Sequence, residues 1–335
     1  MSMSIRVITL VAVVLGLAAN ATAQSNGKET RYVGMCDAST AVGIGKDHFV
    51  VGDDEQSALY IYRIANPKHV AKVDLEGYLG VKKVDGNPEE TDIEGSARIG
   101  NRIYWITSHG ADGKGDPQPD RRQFFATTVV DGGSIPTVRP LKTKPYTKLL
   151  DKVIADKRFE KVLGDASKLA PESADGLGVE GLAPTPDGKG LLIGLRNPRP
   201  GGKALILPLV NPAQVVESDA DPTFRDLIPL DLGTRGIRSL EWTGKDYLIV
   251  AGPHDDNKDL GFRLYRWDGD PNNSRPKLVE KQVFVGINPE AIFKVRTGGR
   301  YYVLSDDGDI PVDDKKCKSK KLPLEKKGFR GAFLE

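Results

Sequence analysis

Cysteine, methionine, tryptophan and histidine are all scarce: the 335 residues hold 2 Cys, 3 Met, 3 Trp and 4 His. So few cysteines exclude a disulfide-stapled miniprotein. With no CxxC pair and no His close to either cysteine in sequence, they also form no zinc knuckle or thiol redox motif. Charge of one sign is lacking too, since 48 Lys and Arg stand against 46 Asp and Glu for a net +2. No global field therefore recruits nucleic acid or an anionic bilayer. Beyond Ala23 no apolar run approaches the roughly 20 residues that span a bilayer. The G-x-S-x-G elbow, H-E-x-x-H, the Walker loop and the Rossmann glycine pattern in its strand-turn-helix setting are all missing. What abounds is punctuation. The 37 Gly and 22 Pro cut the chain into short β-branched and aromatic runs, the pattern of antiparallel strands joined by turns.

The chain opens with one cation, Arg6, an apolar run from Val7 to Ala19 and the small-x-small exit Ala21-Thr22-Ala23. That order reads as a secretory signal peptide over residues 1–23, which leaves residues 24–335 as one exported domain, periplasmic or secreted. Export places Cys36 and Cys317 where a bridge can form, fastening the start of the fold to its last part. Two unpaired thiols are the alternative.

An internal repeat dominates the remainder. Asp92-Ile93-Glu94-Gly95, Gly178-Val179-Glu180-Gly181, Ser239-Leu240-Glu241-Trp242 and Asn288-Pro289-Glu290-Ala291 each put a glutamate at the start of a short apolar strand. A second and a third strand follow each one. A weaker copy at Asp37-Ala38-Ser39-Thr40 has Ser39 in the glutamate position. Four-stranded units repeated around an axis make an all-β fold, a β-propeller. Five blades are expected, six being the alternative if a degenerate copy hides in the long interval between Asp92 and Gly178. Glu29 to Gly34 could supply the strand that the last blade lacks. Within the long interval, Tyr146, Leu149, Leu150, Val153, Ile154, Val162 and Leu163 recur at helical steps, which predicts one amphipathic helical insertion near 145–165, roughly five turns long.

In a propeller the loops that carry these polar positions emerge at one end of the channel. Glu94, Glu180, Glu241 and Glu290 are expected to ring that mouth as candidate ligands of Ca2+ or another divalent cation, because converging carboxylates need counter-charge and hard cations take oxygen ligands. No organic cofactor is implied. The competing structural role is a cap, in which each acid accepts a backbone N–H of the adjoining blade. His109, His254 and Asp306, which repetition does not explain, are the acid-base candidates. Arg196, Asn197, Arg238 and Asp255 are the substrate-binding ones. The run from Lys315 to Lys327 reads as a solvated loop.

Asp92-Ile93-Glu94-Gly95, Gly178-Val179-Glu180-Gly181-Leu182-Ala183, Ile237-Arg238-Ser239-Leu240-Glu241 and Ile287-Asn288-Pro289-Glu290-Ala291 resemble the exported bacterial family known as domain of unknown function 3616. More distantly, the E-G-L-A phrase is similar to phytase-like esterase propellers. The resemblance implies a propeller and export and brings no settled activity. Two functions are therefore weighed: a metal-dependent hydrolase of an ester or phosphoester, and a non-catalytic propeller binding a small anion, glycan or protein of the cell envelope. No nucleic-acid partner is expected, and oligomeric state is open.

Overall fold

The computed structural model describes residues 29–255 and 260–334; the expected signal peptide lies outside them. The strands of the repeat sort into five four-stranded antiparallel blades, the architecture of an all-β propeller. Blade one comprises Ala38–Ile44, His48–Asp53, Ala58–Arg63 and Asn66–Asp74, and blade two Ile93–Ile99, Arg102–Thr107, Phe124–Val130 and Thr137–Pro140. Blade three comprises Gly178–Pro184, Leu191–Asn197, Ala204–Leu209 and Ile228–Leu230, and blade four Gly236–Trp242, Tyr247–Gly252, Arg263–Trp267 and Lys277–Val283. Blade five has Pro289–Lys294, Tyr301–Ser305 and Gly328–Phe333, and its outer strand is the N-terminal Thr30–Val33, paired antiparallel from Thr30↔Gly331 to Val33↔Gly328. Each inner strand packs on the next around a closed circle.

Neighbouring blades cover both faces of the middle strands, so Leu191–Asn197 and Tyr247–Gly252 are near-continuous apolar runs, whereas the outer Asn66–Asp74 is polar and largely exposed. Alternate side chains then serve opposite neighbours. Leu191 and Ile193 join the cluster shared with blade two, whereas Leu192 joins the one shared with blade four. One apolar cluster fills each seam. At the seam where the ring closes, Tyr32 stacks on Phe329 at 5.1 Å and meets Phe49 edge-on at 5.2 Å. Its hydroxyl lies 3.0 Å from that of Tyr302.

The long interval holds helical segments rather than a sixth blade among the described residues. The expected five-turn helix is interrupted: an α-helix covers Leu149–Ala155 and a π-helical turn Glu160–Gly164. Asp156 causes the break. Its backbone is extended, and its carboxylate accepts the Arg158 backbone N–H at 3.0 Å, a side-chain turn that competes with the helix. The turn swings Phe159 into the core, edge-on to Phe224 at 6.1 Å. No helix among the described residues is long and apolar enough to cross a membrane.

Cys36 and Cys317 are disulfide-bonded across a sequence separation of 281, with Cα atoms 5.9 Å apart. Closing so long a loop restricts the unfolded chain strongly, so the double variant Cys36→Ser/Cys317→Ser should lose about 2–5 kcal/mol of unfolding free energy in urea titrations. An unchanged midpoint would show that the strand pairing alone closes the ring.

Candidate functional site

Every inner strand carries the same irregularity near its start. The register shifts between Ala38 and Thr40, Ile93 and Gly95, Val179 and Gly181, Ile237 and Ser239, and Pro289 and Ala291. A bulge leaves one residue outside the ladder and re-aims it. Those residues are Ser39, Glu94, Glu180, Arg238 and Glu290. In blades two and three the position after it is glycine, Gly95 and Gly181, where the neighbouring blade leaves little room: a Cβ on Gly181 would stand 2.9 Å from Ile237 Cγ2.

The bulge position in blade four is thus Arg238, not Glu241. Its Nε lies 2.9 Å from Glu180 Oε2 and its Nη2 bonds Glu290 Oε1, while Arg196 Nη1 lies 3.0 Å from Glu180 Oε1. Burial disfavours the Arg238 charge, but the Glu180 and Glu290 carboxylates outweigh it and hold the guanidinium more firmly protonated. Glu241 sits at the other end of its strand and accepts the Lys294 backbone N–H at 3.2 Å. It is an inter-blade stitch and no part of the acid ring.

The mouth gathers acids from several loops. One carboxylate oxygen each of Asp37, Asp53 and Asp54 lies within 4.8 Å of the others, as does one each of Asp54, Asp92 and Glu94. These two triads share Asp54. Its Oδ1 is sealed from solvent and receives no hydrogen bond, and Ser39 Oγ is likewise sealed and unpartnered. Asp53 is held in place by the Glu55 N–H and the Gln56 amide, each at 2.9 Å, and Asp306 by the Gly308 N–H at 2.8 Å. Clusters of this kind could hold a metal ion.

Burial and crowding raise the pKa of Asp37, Asp53, Asp54, Glu94, Glu180 and Asp306. Burial first, then Asp306 and Asp53, push Asp37 up to about 9. Burial raises Asp53 to about 7 against the Glu55 N–H, and burial with Glu290 raises Asp306 to about 7. Glu180 rises to about 7, its burial partly offset by Arg238 and Arg196. Asp54 and Glu94 are driven well above the carboxylate range by burial and by each other's neighbourhood of acids. Lys318 answers part of this charge, with Nζ 3.9 Å from Glu55 Oε1 and 3.7 Å from Asp309 Oδ1.

The remaining candidates separate. His109 is in the left-handed region at φ 55° and points its Nε2, which has no partner, among Leu149, Val153, Leu163 and Leu177 beneath the helical insertion. Burial lowers its pKa to about 4. Asn197 is fully buried and braces two loops, its side-chain nitrogen lying 3.0 and 3.2 Å from Pro171 O and Ser173 O of one and 3.2 Å from His254 O of the other. His254 Nε2 lies 3.5 Å from Asp255 Oδ2.

Residues 137–299 match the family described as "Protein of unknown function (DUF3616)". That segment contains three of the four stretches on which the resemblance was read, those around Glu180, Glu241 and Glu290, while Asp92 to Gly95 lies outside it. No curated protein matches the chain by sequence. Among solved structures, glutaminyl cyclase of Myxococcus xanthus is 14% identical, with 91% of this chain and 96% of that chain covered and a TM-score of 0.41. A putative oxidoreductase (glucose dehydrogenase) of Thermus thermophilus is 11% identical, with 92% and 100% covered and a TM-score of 0.44. The β-propeller domain of Cps50 (Swd1) from Myceliophthora thermophila is 10% identical, with 92% and 100% covered and a TM-score of 0.39. The propeller assignment rests on the strand order described above.

A carboxyl whose pKa is higher in the folded than in the unfolded chain favours the fold while protonated and opposes it once ionised. The unfolded values lie near ~4, while Asp53, Asp306 and Glu180 titrate at about 7 and Asp37 at about 9. The metal-free protein should therefore melt lower at pH 8.5 than at pH 5.5. Asp37→Asn should flatten the difference, as followed by differential scanning fluorimetry with chelator present; equal midpoints for the unsubstituted protein would contradict this.

Proposed function

We propose that this is an exported, metal-assisted hydrolase of an ester or phosphoester, with its substrate bound at the acidic mouth. The observation that carries the reading is Asp54, whose carboxylate belongs to both acid triads and whose sealed Oδ1 no protein group satisfies. A buried carboxylate oxygen without a donor is costly unless a cation or proton meets it. The donors are all hard oxygens, which suit Ca2+ or a similar divalent ion taking 6–8 ligands at roughly 2.3–2.6 Å. Asp37, Asp53 and Asp54, with Asp92 and Glu94, would hold the ion. When bound it would polarise the ester or phosphoryl oxygen and lower the pKa of a coordinated water.

Asp306 titrates at about 7, so near neutral pH it can either take or give a proton, and we assign it the acid-base role. His254, beside Asp255, is a second proton carrier. Arg196 keeps a buried Nε without a partner while Nη1 holds Glu180, which suits it to orient an anionic group. Arg238 is committed to Glu180 and Glu290 and keeps their charges in place. That commitment also favours a second reading, a non-catalytic propeller that binds an envelope anion, glycan or protein, since it makes part of the ring architectural.

Calorimetric titration of chelator-treated protein with Ca2+, Mg2+ and Mn2+ should give saturable binding with proton release, because the carboxyls must ionise to coordinate. Asp54→Asn should weaken binding at least about tenfold, a loss of ~1.4 kcal/mol. Asp306→Asn should keep the metal but lower kcat on p-nitrophenyl phosphate or acetate esters by about 10²–10⁴. Metal binding without turnover would favour the second reading, and no divalent binding would remove both the ion and the hydrolase.

A further inference from the structure

Glu241 points to a second site, at the mouth opposite the acids. The bulges all lie at the starts of the inner strands and meet at one hub, so the strands run in the same direction and end together. There Gly43, Arg98, Pro184, Trp242, Phe293 and Arg296, drawn from all the blades, line a cavity of about 270 Å³. Arg98 is fixed by donating Nε to Gly100 O at 2.9 Å and Nη1 to Gly43 O at 3.2 Å. Arg296 lies close enough to repel it, and burial together with that second guanidinium lowers the Arg98 pKa. Asp131 is the carboxylate in the field of Arg98, and no ion pair joins the two among the described residues. Lys294 adds positive charge at the same rim. Glu241, the carboxyl lining the cavity, already accepts the Lys294 N–H; burial pushes it up to about 8, so at pH 7 it is largely neutral and does not compete for the guanidiniums.

Two guanidiniums with no ion-pair partner among the described residues, converging on a cavity with aromatic and proline walls, form an anion-recognition geometry. We propose that this mouth binds a small organic anion, a carboxylate on a flat apolar body. Arg98 and Arg296 grip the carboxylate, and the body lies against Trp242 and Pro184. The cavity is smaller than the roughly 300–1,000 Å³ of drug-sized sites, which limits the ligand to a compact molecule. This site stands apart from the acidic mouth and does not depend on the hydrolase reading.

Tryptophan fluorescence can test it, because Trp105 and Trp267 are 0% and 1% exposed and Trp242 alone among the three lines the cavity. Benzoate should change the emission saturably at pH 7, and equimolar inorganic phosphate should neither reproduce nor compete with the change. Arg296→Gln removes an exposed side chain and should fold normally; it should weaken benzoate binding about tenfold, the effect of losing one charge-assisted contact. Glu241→Gln keeps an oxygen for the Lys294 N–H. It should retain benzoate affinity at pH 7 and abolish the weakening seen in the unsubstituted protein as pH rises through about 8. No saturable response to benzoate, phosphate binding in its place, or undiminished affinity in the folded Arg296→Gln variant would overturn the proposal.

Discussion

The repeated bulge is the constraint on which the rest depends. A regular inner strand would alternate its side chains between the two flanking seams and offer the axis only backbone. By taking one residue out of the ladder, each blade sends Ser39, Glu94, Glu180, Arg238 or Glu290 toward the hub. The residue after it must then be small where the next blade closes in, as at Gly181 against Ile237. The polar centre and the close packing of neighbouring blades are consequences of one backbone irregularity.

Acids at every bulge would not be tolerated in so buried a place, and the sequence departs from the repeat where relief is needed. Arg238 replaces a glutamate and bridges Glu180 and Glu290, neutralising the side of the hub formed by blades three to five. Ser39 replaces another and lowers the charge of blade one. Blades one and two nevertheless receive Asp37, Asp53, Asp54 and Asp92 from their loops; Arg121 Nη1 stands 3.6 Å from Asp92 Oδ2, but among the described residues no arginine pairs with Asp37, Asp53 or Asp54. The result is a polarised mouth, with one side internally paired and the other left dependent on protons or a cation.

The blade pattern was legible because short β-branched and aromatic strands bounded by Gly, Pro and Asp recur in order, and even the closing strand at Thr30–Val33 was signalled by the missing strand of the last copy. The helical insertion was legible in composition but not in continuity, because hydrophobic periodicity does not register the turn that Asp156 makes with Arg158. The ring was read with Glu241 in the wrong place because the repeat was aligned on glutamate. Aligned instead on apolar, polar, small, the triplets Ile93-Glu94-Gly95, Val179-Glu180-Gly181 and Ile237-Arg238-Ser239 fall into register and put Arg238 at the hub. Nothing in the spacing of Asp53 and Asp54 could say that the Glu55 N–H and Gln56 amide would hold the Asp53 carboxylate at the mouth. Lys318 was hidden in a lysine run that resembles any solvated loop.

Lys318 reaches the acids for a reason that joins stability to electrostatics. Thr30–Val33 closes the last blade, Cys36 follows it closely, and Asp37 comes next; in the lysine loop Lys318 follows Cys317. Cys36 O accepts the Asp307 N–H at 3.0 Å, and the Lys318 N–H is given to Gly308 O at 3.0 Å, so both bridged segments are also tied to the Asp307-Gly308 turn. The covalent link that limits the unfolded chain therefore also delivers a cation to the most crowded carboxyls, and Lys318 offsets part of the rise that burial and the neighbouring acids impose on Asp37. Exposed lysines are held loosely by side-chain entropy and screened by salt. One anchored by its neighbouring cysteine loses less entropy on meeting its acids, and it also places its backbone oxygen to receive Lys327 Nζ at 3.1 Å, a second lysine of the run whose charge acts on Asp53.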